Sequence, residues 1–194
     1  MSQLRRQVDV WARGAARYPS AALARLHVTP NQLTLFGFVL SLGVGALLGM
    51  GHFPWAAALM LASGVFDLLD GALARLTGQA TKFGAVLDST LDRASEAAIL
   101  GGLMYFYVQA GDRLPAYLAF AFLAGSFLVS YVRARAEAAG LTGEVGVLPR
   151  GERVVLLAIA LFLNIVPWVL GLLTTLAFIT VFQRLGLVWR QSKG

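Results

Sequence analysis

Four aspartates occur within one short stretch of a chain that is otherwise strongly apolar. The stretch reads DLLDGALARLTGQATKFGAVLDSTLD, residues 67–92, and its aspartates are Asp67, Asp70, Asp88 and Asp92. The first two are three residues apart and the last two are four apart, so each pair lies on one face of a helix. A charged side chain inside a membrane-spanning helix costs about 2.5–3.5 kcal/mol on insertion scales. The clustering therefore indicates a site whose chemistry requires negative charge.

Carboxylates that converge on one pocket cannot all remain ionised unless positive charge lies between them. Hard oxygen ligands at this density suit Mg²⁺ or Mn²⁺, and they suit a pair of ions better than a single ion. Two ions held close together stabilise both the attacking and the leaving oxygen in a displacement at phosphorus. The sequence therefore predicts a two-metal site for chemistry at a phosphate.

Two glycines and an arginine accompany the aspartates. Gly71 follows Asp70 directly, and Gly84 comes one helical turn before Asp88. Backbone is exposed at a glycine, so a bulky ligand can approach closely there. Arg75 follows Gly71 by one helical turn and can meet a phosphate on the same face. These residues predict a phosphate-bearing ligand beside the metals.

Two other interpretations of the aspartates remain open. Buried ion pairs with Arg75 and Arg93 would account for one or two carboxylates, but hardly for all of them. A cation transporter also carries acidic residues within the membrane. The aspartates cluster at one end of their predicted helices, however, and residues 115–194 contain no inverted repeat of them. The metal site is the preferred interpretation, and a transporter is the remote alternative.

Composition indicates the surroundings of this site. The chain is 58% hydrophobic and 13% charged, with a mean hydropathy of +0.70. A soluble domain cannot hide that much apolar surface, so the sequence predicts an integral membrane protein. The absence of cysteine excludes a disulfide scaffold and thiolate metal ligands.

The uncharged runs predict the membrane spans. Residues 26–66 contain no Asp, Glu, Lys or Arg, and a crossing needs about 20 residues, so this run holds two crossings. With turns placed at Gly and Pro, the whole chain gives six transmembrane helices near residues 33–52, 54–75, 83–109, 115–135, 148–166 and 168–188. The fold class is therefore all-α and integral to the membrane. The short link 76–82 predicts that the second and third spans are antiparallel neighbours.

The basic residues predict the orientation. Of the 16 Lys and Arg residues, only Arg93 and Arg113 lie outside one set of loops and helix ends. The positive-inside rule then places both termini and the aspartates on the cytoplasmic side of the cell membrane. The same rule accounts for the net charge of +6, which weakens the case for nucleic acid as a partner.

Residues 4–26 combine apolar and basic side chains at roughly helical spacing. This pattern is typical of an amphipathic helix lying in the membrane interface, with its arginines toward anionic headgroups. An unstructured basic leader is the alternative. We therefore expect an interfacial segment over residues 1–28 and a six-helix membrane domain over residues 29–194.

The aspartate stretch resembles the signature of the CDP-alcohol phosphatidyltransferases. It reads Asp67-x-x-Asp70-Gly71-x-x-Ala74-Arg75, followed at the family's spacing by Gly84, Asp88 and Asp92. Members of this family use a CDP-linked lipid, displace CMP with an alcohol and form a phosphodiester bond in the membrane. The six-helix layout extends the resemblance over most of the chain.

The resemblance implies roles for the aspartates. It implies that Asp67 and Asp88 bridge two ions, Mg²⁺ or Mn²⁺. Asp70 then binds one ion and Asp92 the other, and Asp92 is also the catalytic base for the acceptor hydroxyl.

The resemblance also implies contacts to the CDP-lipid. Gly71 and Arg75 belong to this set, together with the segment TPNQLT, which opens the first span. From physical chemistry alone that segment is a helix start whose free N–H groups face a phosphate. The implied CDP-lipid contacts are Pro30, Asn31, Gln32, Leu33, Thr34, Gly71, Ala74, Arg75, Thr81 and Gly84.

Several arginines lie at the depth of the aspartates and suit an acceptor that itself carries a phosphate, because the guanidinium fork matches phosphate geometry. Snorkelling toward the cytoplasm accounts for any one of them, but less easily for all. The predicted acceptor-binding residues are Arg133, Arg135, Arg150, Arg153 and Arg184.

The motifs YVRARAE, GER and QR resemble the family branch that makes phosphatidylinositol phosphate from inositol 1-phosphate. In that branch a lysine usually stands at the place of Arg133. Glycerol 3-phosphate is the alternative acceptor. The expected partners are CDP-diacylglycerol, a small phosphorylated polyol and the bilayer. Small residues such as Gly101, Gly102 and Gly125 permit close helix packing, either within the bundle or in a homodimer.

Overall fold

The computed structural model describes residues 19, 24–26, 28–143 and 145–193, and only the backbone of Arg150. Within these residues the protein is helical, with no strand. Its six helices are α1 (Pro30–Gly49), α2 (Phe53–Thr77), α3 (Lys82–Gln109), α4 (Arg113–Ala138), α5 (Arg150–Leu163) and α6 (Val166–Gln191). The predicted interfacial helix over residues 4–26 falls almost entirely outside the described residues.

The helix ends follow from local chemistry. Thr29 caps α1 through a capping box with Gln32, and Pro30 occupies the first turn, where its missing N–H costs nothing. Thr81 caps α3 by accepting a 2.9 Å hydrogen bond from the backbone N–H of Gly84. Asn164 ends α5 in the left-handed conformation, with φ at 55°. Each helix therefore begins and ends within a few residues of the limits predicted from the sequence.

The helices form a closed ring. Each packs against two others, in the order α1, α2, α5, α6, α4, α3 and back to α1. The prediction that the second and third spans are direct neighbours was wrong: in the described part of the chain α2 and α3 do not pack together, and α1 lies against both. Glycines of α1 allow it to approach both helices closely, with Gly37 beside α2 and Gly45 against α3.

The contact between α1 and α3 is one of backbone against backbone. A Cβ added at Gly102 would overlap the carbonyl of Gly45, and a Cβ at Gly45 would overlap the carbonyl of Ala98. Close approach through small residues is a common way for membrane helices to pack. Gly125 also packs within the bundle, against the side chains of Ala177 and Phe178, whereas nothing lies within 4 Å of a Cβ at Gly101.

Four helices of the described chain, α1, α2, α4 and α6, are long and apolar enough to cross a bilayer. Large apolar side chains point outward from the bundle, with Trp168 82% exposed and Phe182 70% exposed. Such surface is compatible with lipid and costly in water. Helix α5 has 14 residues, too few for the same criterion, and α3 carries the charged side chains of the site.

The apolar core fills one end of the ring. Its buried side chains come from all six helices, for example Leu48 of α1, Leu103 of α3 and Leu170 of α6. A second, smaller cluster joins Leu33 of α1 to Leu69 and Leu73 of α2. A small cavity borders the apolar core at Met60 and Leu100 and reaches Asp67, and a larger cavity lies toward the end of the ring that carries Asp92.

Candidate active site

Asp70 lies at the junction of α1 and α2. Its side chain is buried, at 6% exposure, and the hydroxyl of Thr34 donates a 2.9 Å hydrogen bond to its Oδ2. The charges of Asp67 and Asp88 also act on Asp70. Carboxylates from α2 and α3 therefore influence one another across the start of α1, although their helices do not pack together.

Asp67 lies one turn deeper on α2. Its Oδ1 is 3.2 Å from the place where a Cβ on Gly37 would stand, so a larger residue in α1 would require this carboxylate to shift by a few tenths of an ångström. Asp67 also lines a cavity of about 60 Å³ between α1, α2, α3, α4 and α5. The carboxylate thus borders the interior of the ring.

Asp92 lies on α3 and lines a much larger cavity, of about 1250 Å³, whose other walls come from α4, α5, α6 and the loop before α5. The cavity therefore begins beside the aspartates and extends toward the arginines. A substrate in it would have a carboxylate at one side.

The aspartates suit divalent ions by donor type, because they supply oxygen ligands only and their charges repel without a cation. In the described residues, no group of three acidic or histidine side chains is arranged to hold an ion. The donor type of the aspartates is therefore compatible with divalent ions, but the described side chains do not form an assembled coordination shell.

The predicted CDP-lipid contacts lie at the starts of α1 and α3 and the end of α2. The Oδ1 of Asn31 is 3.1 Å from the place of a Cβ at Gly84, so the two helix starts meet there. Arg75 is exposed, and its guanidinium lies near Gly71, with Nη1 3.5 Å from the place of a Cβ there. The start of α1 thus lies close both to the start of α3, at Gly84, and to Asp70 on α2.

The individual residues of that set differ in access. Asn31, Gln32, Arg75 and Thr81 are exposed, and Pro30, Gly71, Ala74 and Gly84 are half-buried. Leu33 is buried and packs in the apolar cluster with Leu69 and Leu73. Thr34 is buried as well, and it reaches the site through Asp70.

Three of the predicted acceptor-binding arginines line the large cavity: Arg133, Arg153 and Arg184. Arg135 is exposed at the same end of α4 and is not among the described residues that line the cavity. The side chain of Arg150 lies outside the described residues.

The cavity arginines are fixed by specific contacts. Arg133 Nε donates a 2.7 Å hydrogen bond to Glu137, in an ion pair one turn along α4. Arg184 donates from Nε to the carbonyl of Val145 at 2.8 Å and from Nη1 to the carbonyl of Val129 at 2.7 Å. Arg184 therefore ties α6 both to α4 and to the loop before α5.

Two further ionisable residues of this region, Arg93 and Glu96, were not predicted as site residues. Arg93 lines the large cavity and pairs with Glu96 at 3.2 Å. Both are ionisable residues within a predicted span, which is the same signal that drew attention to the aspartates.

The fold and these side chains define a helical membrane protein with carboxylates beside an arginine-lined cavity. The family model of the CDP-alcohol phosphatidyltransferases matches residues 27–183. The chain belongs to that family, and it is a phosphatidyltransferase enzyme.

Relatives and solved structures agree with this assignment. Archaetidylinositol phosphate synthase of Pyrococcus horikoshii is 43% identical over 164 residues, which are 84% of each chain. Phosphatidylinositol phosphate synthase of Mycobacterium tuberculosis, in a crystal structure with CDP-DAG bound, superposes with a TM-score of 0.84 at 33% identity. That match covers 90% of this chain and 93% of the other. A second structure of the mycobacterial enzyme, with manganese and citrate, gives a TM-score of 0.83 at 34% identity, covering 90% and 88%.

Proposed function

We propose that this enzyme transfers the phosphatidyl group of CDP-diacylglycerol to inositol 1-phosphate, forming phosphatidylinositol phosphate and releasing CMP. One observation carries the proposal: a cavity of about 1250 Å³ has Asp92 and Arg93 on its α3 wall and Arg133, Arg153 and Arg184 on other walls. A neutral alcohol needs no such set of guanidinium groups, whereas a phosphorylated acceptor does. The names of the archaeal and mycobacterial relatives agree with this acceptor.

In the proposed mechanism the four aspartates Asp67, Asp70, Asp88 and Asp92 hold two ions, Mg²⁺ or Mn²⁺. When bound, these ions offset the charge of the diphosphate and of the departing CMP. Support comes from the oxygen-only ligands, from the hydrogen bond of Thr34 to Asp70, and from manganese in a structure of the mycobacterial enzyme. Thr34 holds the Asp70 carboxylate in place from outside the group of aspartates.

Asp92 is the proposed base. It accepts the proton of the acceptor hydroxyl while that oxygen attacks the phosphorus bearing the diacylglycerol, and the bond to the CMP oxygen breaks. Asp92 lines the cavity that would hold the acceptor, which supports this role. Arg133, Arg153 and Arg184 hold the acceptor's phosphate from the cavity walls, with Arg135 and Arg150 at its cytoplasmic rim.

The remaining contacts concern the CDP-lipid. The start of α1 faces the nucleotide with Pro30, Asn31 and Gln32. The start of α3 faces it with Thr81 and Gly84. Gly71, Ala74 and Arg75 contact its diphosphate from α2. Leu33 and Thr34 support this surface from below, since both are buried.

The proposal includes the topology. All six helices cross the cell membrane. Helix α3 carries charged side chains, but it packs against α1 and α4, which shield these charges from lipid. Residues 1–28 form an interfacial segment, residues 29–194 form the catalytic domain, and both termini and the active site are cytoplasmic. The enzyme acts as a homodimer. Gly101 faces outward on α3, and its lack of a side chain would let a helix of the second copy approach closely.

The test is CMP release by purified protein with Mg²⁺. Inositol 1-phosphate, glycerol 3-phosphate, free inositol and serine are offered separately, each with CDP-diacylglycerol and with a CDP-linked archaeal ether lipid. Turnover with inositol 1-phosphate and not with free inositol supports the proposal. Turnover with glycerol 3-phosphate alone keeps the chemistry and replaces the acceptor. Uptake of a cation by proteoliposomes without CMP release would instead support the transporter interpretation.

A further inference from the structure

Glu96 occupies the interior of the ring and takes part in none of the roles described above. It lies on α3, one turn after Asp92, and its side chain is 15% exposed. The hydroxyl of Ser126 on α4 donates a 2.7 Å hydrogen bond to its Oε1. Its Oε2 lies 3.2 Å from Nη1 of Arg93. A buried carboxylate in an apolar bundle is costly, so this one is held by specific partners.

Ser126 links Glu96 to a third helix. It is fully buried, at 0% exposure, and its Oγ accepts a 2.9 Å hydrogen bond from Nη1 of Arg153 on α5. The same Nη1 lies 4.0 Å from Glu96 Oε1. The chain of contacts from Glu96 through Ser126 to Arg153 therefore fixes the relative placement of α3, α4 and α5.

A parallel contact holds the second arginine. Arg93 Nη1 donates a 2.6 Å hydrogen bond to Ser130 Oγ on α4, while also facing Glu96. Arg93 and Arg153 both line the large cavity, whereas Glu96 lines the small cavity on the other side of Arg153. Glu96 thus contacts Arg93 directly and Arg153 through Ser126, and both arginines line the cavity proposed for the acceptor.

We propose that Glu96 is a positioning residue for the acceptor's phosphate. It contacts Arg93 directly and Arg153 through Ser126, and it thereby holds both arginines in the orientation that binds this phosphate. Arg93 is thereby assigned to acceptor binding beside Arg153. The inference rests on the proposed function in one respect, that the acceptor carries a phosphate. A guanidinium is a planar group with five donors on a long flexible stem, so a hydrogen bond to one of its nitrogens restricts the orientation of the whole group.

An opposite effect is physically possible and gives the inference its test. If Glu96 only offset the arginine charges, its removal would make the cavity more positive and phosphate would bind more tightly. If Glu96 positions the arginines, its removal weakens phosphate binding despite the added positive charge. Ser126→Ala separates the two effects, because it breaks the link to Arg153 and leaves every charge in place.

The experiment compares Glu96→Gln, Ser126→Ala and wild type. Thr174→Val is the matched control, because Thr174 also makes a hydrogen bond between helices, 3.2 Å to the carbonyl of Leu118, away from both cavities. The KM for inositol 1-phosphate, the KM for CDP-diacylglycerol and kcat are measured with full-length protein. The Kd of inorganic phosphate is measured by calorimetry at constant ionic strength, together with the thermal unfolding midpoint.

The expected result is a rise of roughly tenfold in the acceptor KM and in the phosphate Kd for both test variants, as for the loss of one charge-assisted contact. The KM for CDP-diacylglycerol stays within about twofold in both, and Thr174→Val lowers only the unfolding midpoint. An unchanged or lowered phosphate Kd in Ser126→Ala overturns the inference, as does a lowered one in Glu96→Gln. If wild type turns over no phosphorylated acceptor, the proposed function fails, and the phosphate Kd still decides the role of Glu96.

Discussion

Thr34 on α1 donates a hydrogen bond of 2.9 Å to the buried carboxylate of Asp70 on α2. The same hydroxyl reaches the carbonyl of Pro30 at 3.1 Å, so the contact belongs to the first turn of α1. A segment implied to touch the nucleotide is thus attached to a carboxylate implied to bind metal. The start of α1 would therefore border the proposed metal site as well as form part of the proposed surface for the CDP-lipid.

Thr34→Val should weaken metal binding, because the hydroxyl stabilises the ionised form of Asp70 and valine leaves that carboxylate without this donor. A hydrogen bond to a charged group contributes about 1.5–3 kcal/mol, so the Mn²⁺ concentration at half-maximal CMP release should rise at least about tenfold. Thr175→Val is the control, since Thr175 is exposed and bonds only to the carbonyl of Gly171 in its own helix. Equal metal dependence in the two variants would contradict the role given to Thr34.

Asp92→Asn should abolish CMP release, with a loss of at least about a hundredfold in kcat, because the amide cannot accept the acceptor's proton. Binding of CDP-diacylglycerol, measured by calorimetry, should weaken far less, since Asp92 lies beside the acceptor cavity. Asp112→Asn makes the same chemical change at the start of α4, at the other end of the bundle, and should keep wild-type turnover. Normal turnover by Asp92→Asn would show that another group is the base.

Removal of divalent ions with EDTA should abolish turnover, and added Mg²⁺ or Mn²⁺ should restore it. The aspartates need a cation because their charges act on one another within an apolar bundle. Added Mn²⁺ should also raise the thermal unfolding midpoint of wild type, through binding to the folded state alone. Asp70→Asn should lose most of that rise. Full activity in EDTA would exclude a metal-dependent mechanism.

Gly102→Ala should destabilise the bundle by about 1–3 kcal/mol or more, because the added methyl overlaps the backbone carbonyl of Gly45. The neighbouring Gly101→Ala is the matched control, since a Cβ there meets nothing within 4 Å. Unfolding midpoints in one detergent compare the two, and only Gly102→Ala should fall. If both fall equally, the contact of α1 with α3 is looser than the structure shows.

The sequence by itself determined where the helices lie along the chain and which carboxylates are candidate site residues. An uncharged run longer than a bilayer crossing leaves few alternatives to a span, and the predicted 54–75 became α2 at Phe53–Thr77. Ionisable residues within such runs are conspicuous because burying them is costly. The spacing of three and four residues then placed each carboxylate pair on one helix face, since that depends on the helical repeat alone.

Only the tertiary structure decided which helices touch. A short link suggested that α2 and α3 are neighbours, but α1 packs against both, because Gly45 and Gly102 bring two backbones together there. The partnership of Glu96 with Ser126 and Arg153 was equally hidden, since those residues lie on three different helices. Hydrogen bonds between helices depend on the rotation and depth of each one, and these are fixed by packing around the whole ring rather than by any local pattern.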